Sequence, residues 1–424
     1  MVKSSVISGF YKLPPKERLA IVADFAGLTE EEKNLLQASS SLSVDVADHM
    51  VENFIGVFPE PMGVAVNFLI NGRDYLIPMA TEEPSVIAAA SYAAKMVRDG
   101  GGFKTSSTTP VMIGQIQVVK LPDAADAKKK VIDTKAELLA KANAQDPILN
   151  SFGGGAKDLD ARVIETSVGQ MLIVHLYVDC RDAMGANAVN TMAEAVAPMI
   201  ESLTGGQVYL RIISNLATNR LVKAWCTVPK EAVGGEAVVD GIVYASAFAA
   251  ADPYRGATHN KGIMNGIAAA VLATGNDHRA IEAGAHAYAS LKGQYTSLTS
   301  WTKNSNGDLD GVIELPMAVG LIGGAVKTHP IAKIAVKILG VKSANEFGEV
   351  LAALGLAQNL GALRALSSEG IQRGHMSLHA RNIAVTAGAK AELVDLVAER
   401  MVKERKVSVH RAQEILEELS KNCR

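Results

Sequence analysis

Between residues 109 and 215 the sequence keeps changing period. A β-rich run at 111–119 gives way to a charged helical stretch at 123–144. After the loop Asn150-Ser151-Phe152-Gly153-Gly154-Gly155 come a strand at 171–178, a helix at 187–203 and a strand at 207–213. Strands that alternate with helices bury one face of a sheet beneath those helices, so the stretch predicts a compact α+β unit. The sequence on either side has another character. Short helices are expected over 15–60, where Thr29 and Glu32 have the spacing of a capping box. Strand-like residues 62–79 are split by Asn71-Gly72, the strongest short signal for a hairpin, and an Ala-rich helix at 86–98 stops at Gly100-Gly101-Gly102. Beyond 217 come more strand-like sequence, a Gly-rich stretch at 255–277, an Ala-rich helix at 280–292 and a helical region at 331–372. Two amphipathic helices within 390–421 part near Val407-Ser408. The α+β unit therefore reads as an insertion into a larger mixed domain.

Composition narrows the function classes. The 42 Lys and Arg balance 44 Asp and Glu, which argues against a nucleic-acid partner, since such proteins normally carry a basic domain or stripe. The most apolar tracts, such as 315–326, are interrupted by glycine and fall short of the roughly 18 residues a spanning helix needs. No membrane segment or secretory signal is expected. Cys180, Cys226 and Cys423 are scattered and form no CxxC pair. A reducing, cytoplasmic setting fits them best.

No G-x-G-x-x-G follows a strand and no Walker motif occurs, so neither a standard Rossmann domain nor a P-loop is expected. The turn Asp182-Ala183-Met184-Gly185-Ala186-Asn187 joins a strand to a helix with residues small enough for an anionic ligand to approach the helix start, though close packing explains them as well. Glu82-Glu83-Pro84-Ser85 stands where a strand meets an apolar helix. Capping suits Glu82. For Glu83, desolvation and the helix dipole would shift the carboxyl in opposite directions, which leaves the sign open. Lys261, in His259-Asn260-Lys261-Gly262-Ile263-Met264-Asn265-Gly266, is either a surface-loop lysine or a cation fixed among small residues with Asp277 as a carboxylate partner. Asp277 could equally be a helix cap. His375 and His379 have i, i+4 spacing, but Met376 replaces the Glu of H-E-x-x-H and no third ligand is apparent, so no metal is expected. His375 beside Gly374 fits a general acid on a closing flap, whereas His379 reads as packing on its helix.

Together these segments resemble class II 3-hydroxy-3-methylglutaryl-CoA (HMG-CoA) reductases, the soluble bacterial and archaeal type. The strings that carry the resemblance are Glu52-Asn53-Phe54-Ile55-Gly56, the run from Glu82 to Ser91, Asp182-Ala183-Met184-Gly185-Ala186-Asn187, the run from His259 to Gly266, Thr274-Gly275-Asn276-Asp277 and Gly374-His375-Met376. They occur in the family's order and cover nearly the whole chain. The resemblance implies an α+β fold: a large mixed helical and sheet domain for catalysis and dimerisation (1–108 and 217–374), an inserted ferredoxin-like, non-Rossmann dinucleotide domain (109–216) and a helical C-terminal flap (375–424).

It also implies two hydride transfers from NADH or NADPH that convert HMG-CoA to mevalonate and coenzyme A, a reversible reaction that can run oxidatively. The implied catalytic set is Glu83, Lys261, Asp277 and His375. Lys261 would stabilise the oxyanion, His375 would protonate the departing thiolate, Glu83 would supply a proton to mevaldehyde, and Asp277 would bridge Lys261 and Glu83. By the same resemblance Ser85, Arg255 and Asn265 meet the HMG moiety, while Asp182, Met184, Gly185, Asn187 and Asn215 lie on the cofactor side. Asp146 would accept from an adenosine ribose hydroxyl and repel a 2′-phosphate, which favours NADH. An Asp-Pro turn is the plainer reading of Asp146. Where relatives can carry an N-terminal arginine for the CoA phosphates, this chain has Phe10-Tyr11-Lys12-Leu13, with Lys12 as a point charge in its place. A dimer with its active site at the subunit interface is implied, or a trimer of dimers. The competing readings are a catalytically silent CoA-binding or regulatory paralogue and a thioester enzyme without redox chemistry.

Overall fold

The computed structural model describes residues 3–38, 41–368 and 371–422, with side chains throughout these except at 371–378, 391 and 421–422. Three helices open the chain, α1 (Pro15–Ala26), α2 (Glu30–Gln37) and α3 (Val44–Met50). Thr29 Oγ1 accepts from the Glu32 amide and Glu32 accepts from the Thr29 amide, so α2 begins on the expected capping box. The hairpin follows. β1 (Met62–Ile70) and β2 (Arg73–Ala80) pair antiparallel with Ile70 opposite Arg73. Asn71 and Gly72 between them both have positive φ, 48° and 80°, as a tight type I′ turn demands. Residues 81–85 then lead into α4 (Val86–Asp99).

After β3 (Lys104–Ser107) comes the insertion: β4 (Val111–Val119), α5 (Ala124–Asp133), α6 (Lys135–Asn143), α7 (Pro147–Ser151), β5 (Gly155–Thr166), β6 (Gly169–Asp179), α8 (Ala186–Thr204) and β7 (Gln207–Ser214). Its strands form an antiparallel sheet in the order β5-β6-β4-β7. A βαββαβ chain in that order is the ferredoxin-like split unit. Two details differ from expectation. The charged helix is broken at Thr134, which ends α5 and starts α6, and β5 occupies a stretch where no strand was expected.

The larger unit resumes with β8 (Leu221–Val228), α9 (Lys230–Val233), α10 (Glu236–Ala251), α11 (Pro253–Ala273), α12 (His278–Tyr288), β9 (Thr299–Lys303), β10 (Leu309–Pro316), α13 (Gly324–Thr328), α14 (Pro330–Leu339) and α15 (Ala344–Ser367). A second antiparallel sheet runs β3-β8-β10-β9. Helix α15 is the one described helix long and apolar enough to cross a membrane. Because 67% of its apolar window is buried inside the fold, it serves as a core helix. It crosses α11 closely: a Cβ on Gly355 would sit 2.6 Å from Ile267 Cδ1, and one on Gly266 would sit 3.2 Å from Gln358 Cβ. These glycines let the helix that carries Lys261 press against the core. The chain ends in α16 (Ile371–Thr386), α17 (Ala391–Lys403) and α18 (Val409–Asn422), whose apolar cluster of Ala380, Ala384, Val397, Met401 and Ile415 is separate from the main core. His379 is exposed rather than packed on its helix. Gly370 and Cys423 lie outside the described residues.

Candidate active site

Lys261 stands on a helix, not in a loop. Asp252 Oδ1 accepts from the Arg255 amide (2.9 Å) and Pro253 occupies the first turn, so α11 starts cleanly despite the glycines that follow. Lys261 and Asn265 are one turn apart and project from the same side of α11. The two residues before Lys261 fix the helix's rotation. Asn260 is buried; its Nδ2 donates to Tyr295 Oη (2.9 Å) and to the Thr296 carbonyl (2.9 Å), and its Oδ1 accepts from the Leu298 amide (3.0 Å). Buried His259 meets Thr299 Oγ1 (2.7 Å), Ser297 Oγ (2.8 Å) and Asn359 Nδ2 (3.1 Å) through Nε2.

Burial, helped by the nearby positive charge of Arg255, pushes His259 down to about 4. A histidine with a depressed native pKa holds fewer protons folded than unfolded between its two pKa values. Its contribution is therefore complete above about 6.5 and is lost as pH falls toward 4, on the order of 3 kcal/mol in all. Urea unfolding should accordingly show the stability gap between wild type and His259→Asn narrowing from pH 7 to pH 5. A constant gap would contradict the neutral buried imidazole.

Opposite Lys261, the connection from β2 to α4 delivers Glu83. Its Oε2 lies 2.9 Å from Lys261 Nζ and 3.5 Å from Asn265 Nδ2, and its amide donates to Thr81 Oγ1 (3.2 Å). The Lys261 side chain is 63% exposed and that of Glu83 37%. An exposed pair of this kind adds at most about 1 kcal/mol to stability, so the pair's main physical effect is to aim two ionisable groups at one point. Ser85, beside them, holds φ at 76°, a left-handed conformation costly for a residue with a side chain. Glu82 is exposed.

Asp277 departs from the expected bridge. Its Oδ1 caps α12 by accepting from the Arg279 and Ala280 amides (both 3.1 Å) and pairs with Arg279 Nε (3.2 Å). Burial raises its pKa, but the Ala280 amide and the Arg279 guanidinium and amide together outweigh that and hold it below the usual carboxylate value. Arg255 is half-buried on α11, and burial lowers its pKa. Lys12 is exposed on the N-terminal 3-10 turn, over the Tyr11 ring at 5.7 Å. His375 falls within α16, and its side chain is outside the described residues.

On the cofactor side, β6 runs through the turn at 180–185 into α8. Gly185 (φ 107°) is the N-cap of that helix and offers its first amides no side-chain acceptor. An anionic phosphate fits beside such amides, and the small residues of the turn leave room for it. Asn187 is exposed on the first turn and Met184 is half-buried. Asn215 follows β7, and its carbonyl lies against Gly284 of α12. Asp146 caps α7 by accepting from the Leu149 amide (2.8 Å), so the turn reading is satisfied as well. Asp182 is engaged in the fold: its Oδ1 accepts from the Ala344 amide (2.8 Å) and its carbonyl from the Leu321 amide (2.8 Å). Sequence reasoning missed Tyr295, which holds Asn260 of α11, and Arg220, which holds the turn at 183–184; neither lies in a quoted motif. Among the described residues no cluster of potential metal ligands occurs.

The family model described as Hydroxymethylglutaryl-coenzyme A reductase matches residues 14–380. A 3-hydroxy-3-methylglutaryl-coenzyme A reductase of Archaeoglobus fulgidus is 61% identical over 416 residues, covering 98% of this chain and 95% of the relative. A probable one of Borreliella burgdorferi is 34% identical over 386 residues, 88% of each. Among solved structures, the 3-hydroxy-3-methylglutaryl-coenzyme A reductase from Streptococcus pneumoniae matches with a TM-score of 0.84 at 42% identity, over 97% of this chain and 99% of that one. The class II enzyme of the same organism bound to NADPH in open conformations matches with a TM-score of 0.82 at 42% identity, over 96% and 100%.

Proposed function

We infer, because this chain belongs to the hydroxymethylglutaryl-coenzyme A reductase family, that it reduces HMG-CoA to mevalonate and coenzyme A at the Glu83–Lys261 pair. The observation that carries the site is the 2.9 Å approach of a lysine on α11 to a carboxylate from the β2–α4 connection, 178 residues away in sequence. Reduction of a thioester to an alcohol takes two hydrides, the chemistry that a nicotinamide dinucleotide supplies when bound. Asp146, Asp182, Met184, Gly185, Asn187 and Asn215 would hold it, with the uncapped α8 terminus toward its phosphates.

Lys261 Nζ donates to the carbonyl oxygen as negative charge grows there, an interaction stronger in the transition state than in the bound thioester. When the C–S bond breaks, the sulfur leaves as a thiolate. His375, carried on α16, protonates it and releases coenzyme A. Glu83 then gives its proton to the oxygen of mevaldehyde as the second hydride arrives. Ser85, Arg255 and Asn265 grip the HMG moiety, Arg255 its carboxylate, and Lys12 meets the CoA phosphates. For Asp277 to bridge Lys261 and Glu83 it must exchange its Arg279 partner for Lys261 while it keeps its place at the head of α12. Residues 1–108 and 217–374 form the substrate domain, 109–216 the dinucleotide domain and 375–424 the flap.

Two finer assignments complete the reading. The exposed side chains of Tyr254 (87%), Tyr244 (78%), Phe58 (89%) and Ile55 (102%) call for a partner surface, and a second copy completing the site, as a dimer or a trimer of dimers, would cover them. Light scattering tests this; a monomer at assay concentration would contradict it. NADH is the preferred dinucleotide, because the Asp146 carboxylate repels a 2′-phosphate. Asp146→Asn keeps the α7 cap and should cut the NADH-over-NADPH ratio of kcat/KM by roughly tenfold, the worth of about 1.4 kcal/mol. An unchanged ratio would remove Asp146 from specificity.

The reading as a whole is tested by running the protein both ways. HMG-CoA with reduced dinucleotide should yield mevalonate, and mevalonate with coenzyme A and oxidised dinucleotide should yield HMG-CoA. Binding of CoA thioesters with turnover in neither direction would favour a silent paralogue.

A further inference from the structure

Arg220 is charged, only 3% exposed and directed wholly at main-chain carbonyls. One terminal nitrogen donates to the carbonyls of Ala183 (3.0 Å) and Met184 (3.1 Å), and the other to that of Val319 (2.5 Å). The first two belong to the turn that opens the α8 terminus, the third to the segment after β10. These are the facing sides of the joint between the inserted unit and the larger one. The joint is close-fitted. A Cβ on Gly320 would stand 2.4 Å from the Met184 amide nitrogen, the Leu321 amide donates to the Asp182 carbonyl (2.8 Å), and Ala183 bridges to Ile322. The joint continues into the α11–α12 connection, since the Gly320 amide donates to Asn276 Oδ1 (2.8 Å), next to Asp277.

A buried arginine is an expensive way to fill space; an apolar side chain of similar volume is commonly as stabilising or more so. What the guanidinium adds is geometry: a planar fork satisfied by three carbonyls in one arrangement only. We propose that Arg220 is a positioning residue of the reductase, holding the 182–185 turn against Gly320 so that a dinucleotide on that turn is set at a fixed place relative to Lys261 and Glu83. The proposal rests on the reductase reading and adds a residue to it. Arg220 touches neither substrate nor cofactor; it acts through the turn.

Two variants probe the joint from opposite sides. Arg220→Lys keeps the charge and loses the fork, and Gly320→Ala drives a methyl into the turn's backbone. Each is measured for dinucleotide affinity by the fluorescence of the reduced nicotinamide, for the separation of kcat from KM, and for the primary deuterium isotope effect on kcat. Both should bind the dinucleotide several-fold more weakly. Both should also lose roughly tenfold or more in kcat with a larger isotope effect, because an ångström of misplacement slows transfer itself. The KM for HMG-CoA should stay within about twofold. If Arg220→Lys does not fold, Gly320→Ala gives the same readouts. Variants that keep wild-type affinity, kcat and isotope effect while losing only melting temperature would overturn the proposal and leave Arg220 a structural residue. A wild type without turnover would defeat the reductase reading instead. The joint would then be judged on affinity alone, several-fold weakening upholding it and unchanged affinity overturning it.

Discussion

Lys261→Ala should leave a folded protein whose reduction of HMG-CoA falls by a factor on the order of 10³, the usual cost of removing one preorganised donor from an oxyanion. Stability and activity separate cleanly here. The Lys261 side chain is 63% exposed and its pairing with Glu83 is solvent-facing, so truncation should change unfolding free energy by no more than about 1 kcal/mol. The neighbouring α11 residues that do stabilise the fold, His259 and Asn260, are untouched. The loss should fall on kcat, with the KM for HMG-CoA little moved, because the lysine's contact strengthens only as charge develops. Single-turnover reduction beside a thermal melt makes the comparison. Near-normal turnover in a folded variant would take the oxyanion role away from Lys261.

Glu83→Gln should retain a side chain of the same shape within reach of Lys261 and Asn265, and lose the group that moves a proton. With mevaldehyde as substrate, reduction should fall by about 10² to 10⁴, the range of general acid catalysis. The first reduction should suffer less, since Lys261 keeps its place. Because Glu83 Oε2 and Lys261 Nζ are 2.9 Å apart, the two should act as a unit. The double variant should be little slower than the worse single one rather than the product of both losses. Fully multiplicative losses would mean that the two groups work independently.

How far these sites could be read from sequence depended on the range of the contacts that make them. Period and turn chemistry are local, so the alternation of strand and helix in the insertion, the Asn71-Gly72 turn and the Thr29–Glu32 capping box were all legible. The strand β5 was not: it opens on the last of three glycines, and Lys157, Asp158, Asp160 and Arg162 give it a polar character that resembles loop sequence. The helix α11 was legible only as a glycine-rich stretch, because the reason for a glycine such as Gly266 is a helix about 90 residues further on, where Gln358 lies against it. Lys261 and Glu83 were identified through motif resemblance, while their meeting is a tertiary fact. Asp277 shows the limit from the other side. A capping aspartate and a catalytic one look alike in sequence, and only the fold shows that this carboxylate caps α12 and pairs with Arg279, whatever else it does. Arg220 carried no signal at all, since its partners are carbonyls, which every residue possesses.

The most direct test of the account is the ratio of reduced dinucleotide consumed to coenzyme A thiol released when the wild-type protein turns over HMG-CoA. Two successive hydride transfers at one site predict two dinucleotides oxidised for each thiol, with mevalonate as the product. Thiol release without dinucleotide oxidation would make the protein a thioester hydrolase, and a ratio of one with free mevaldehyde would remove the second reduction from the Glu83–Lys261 pair.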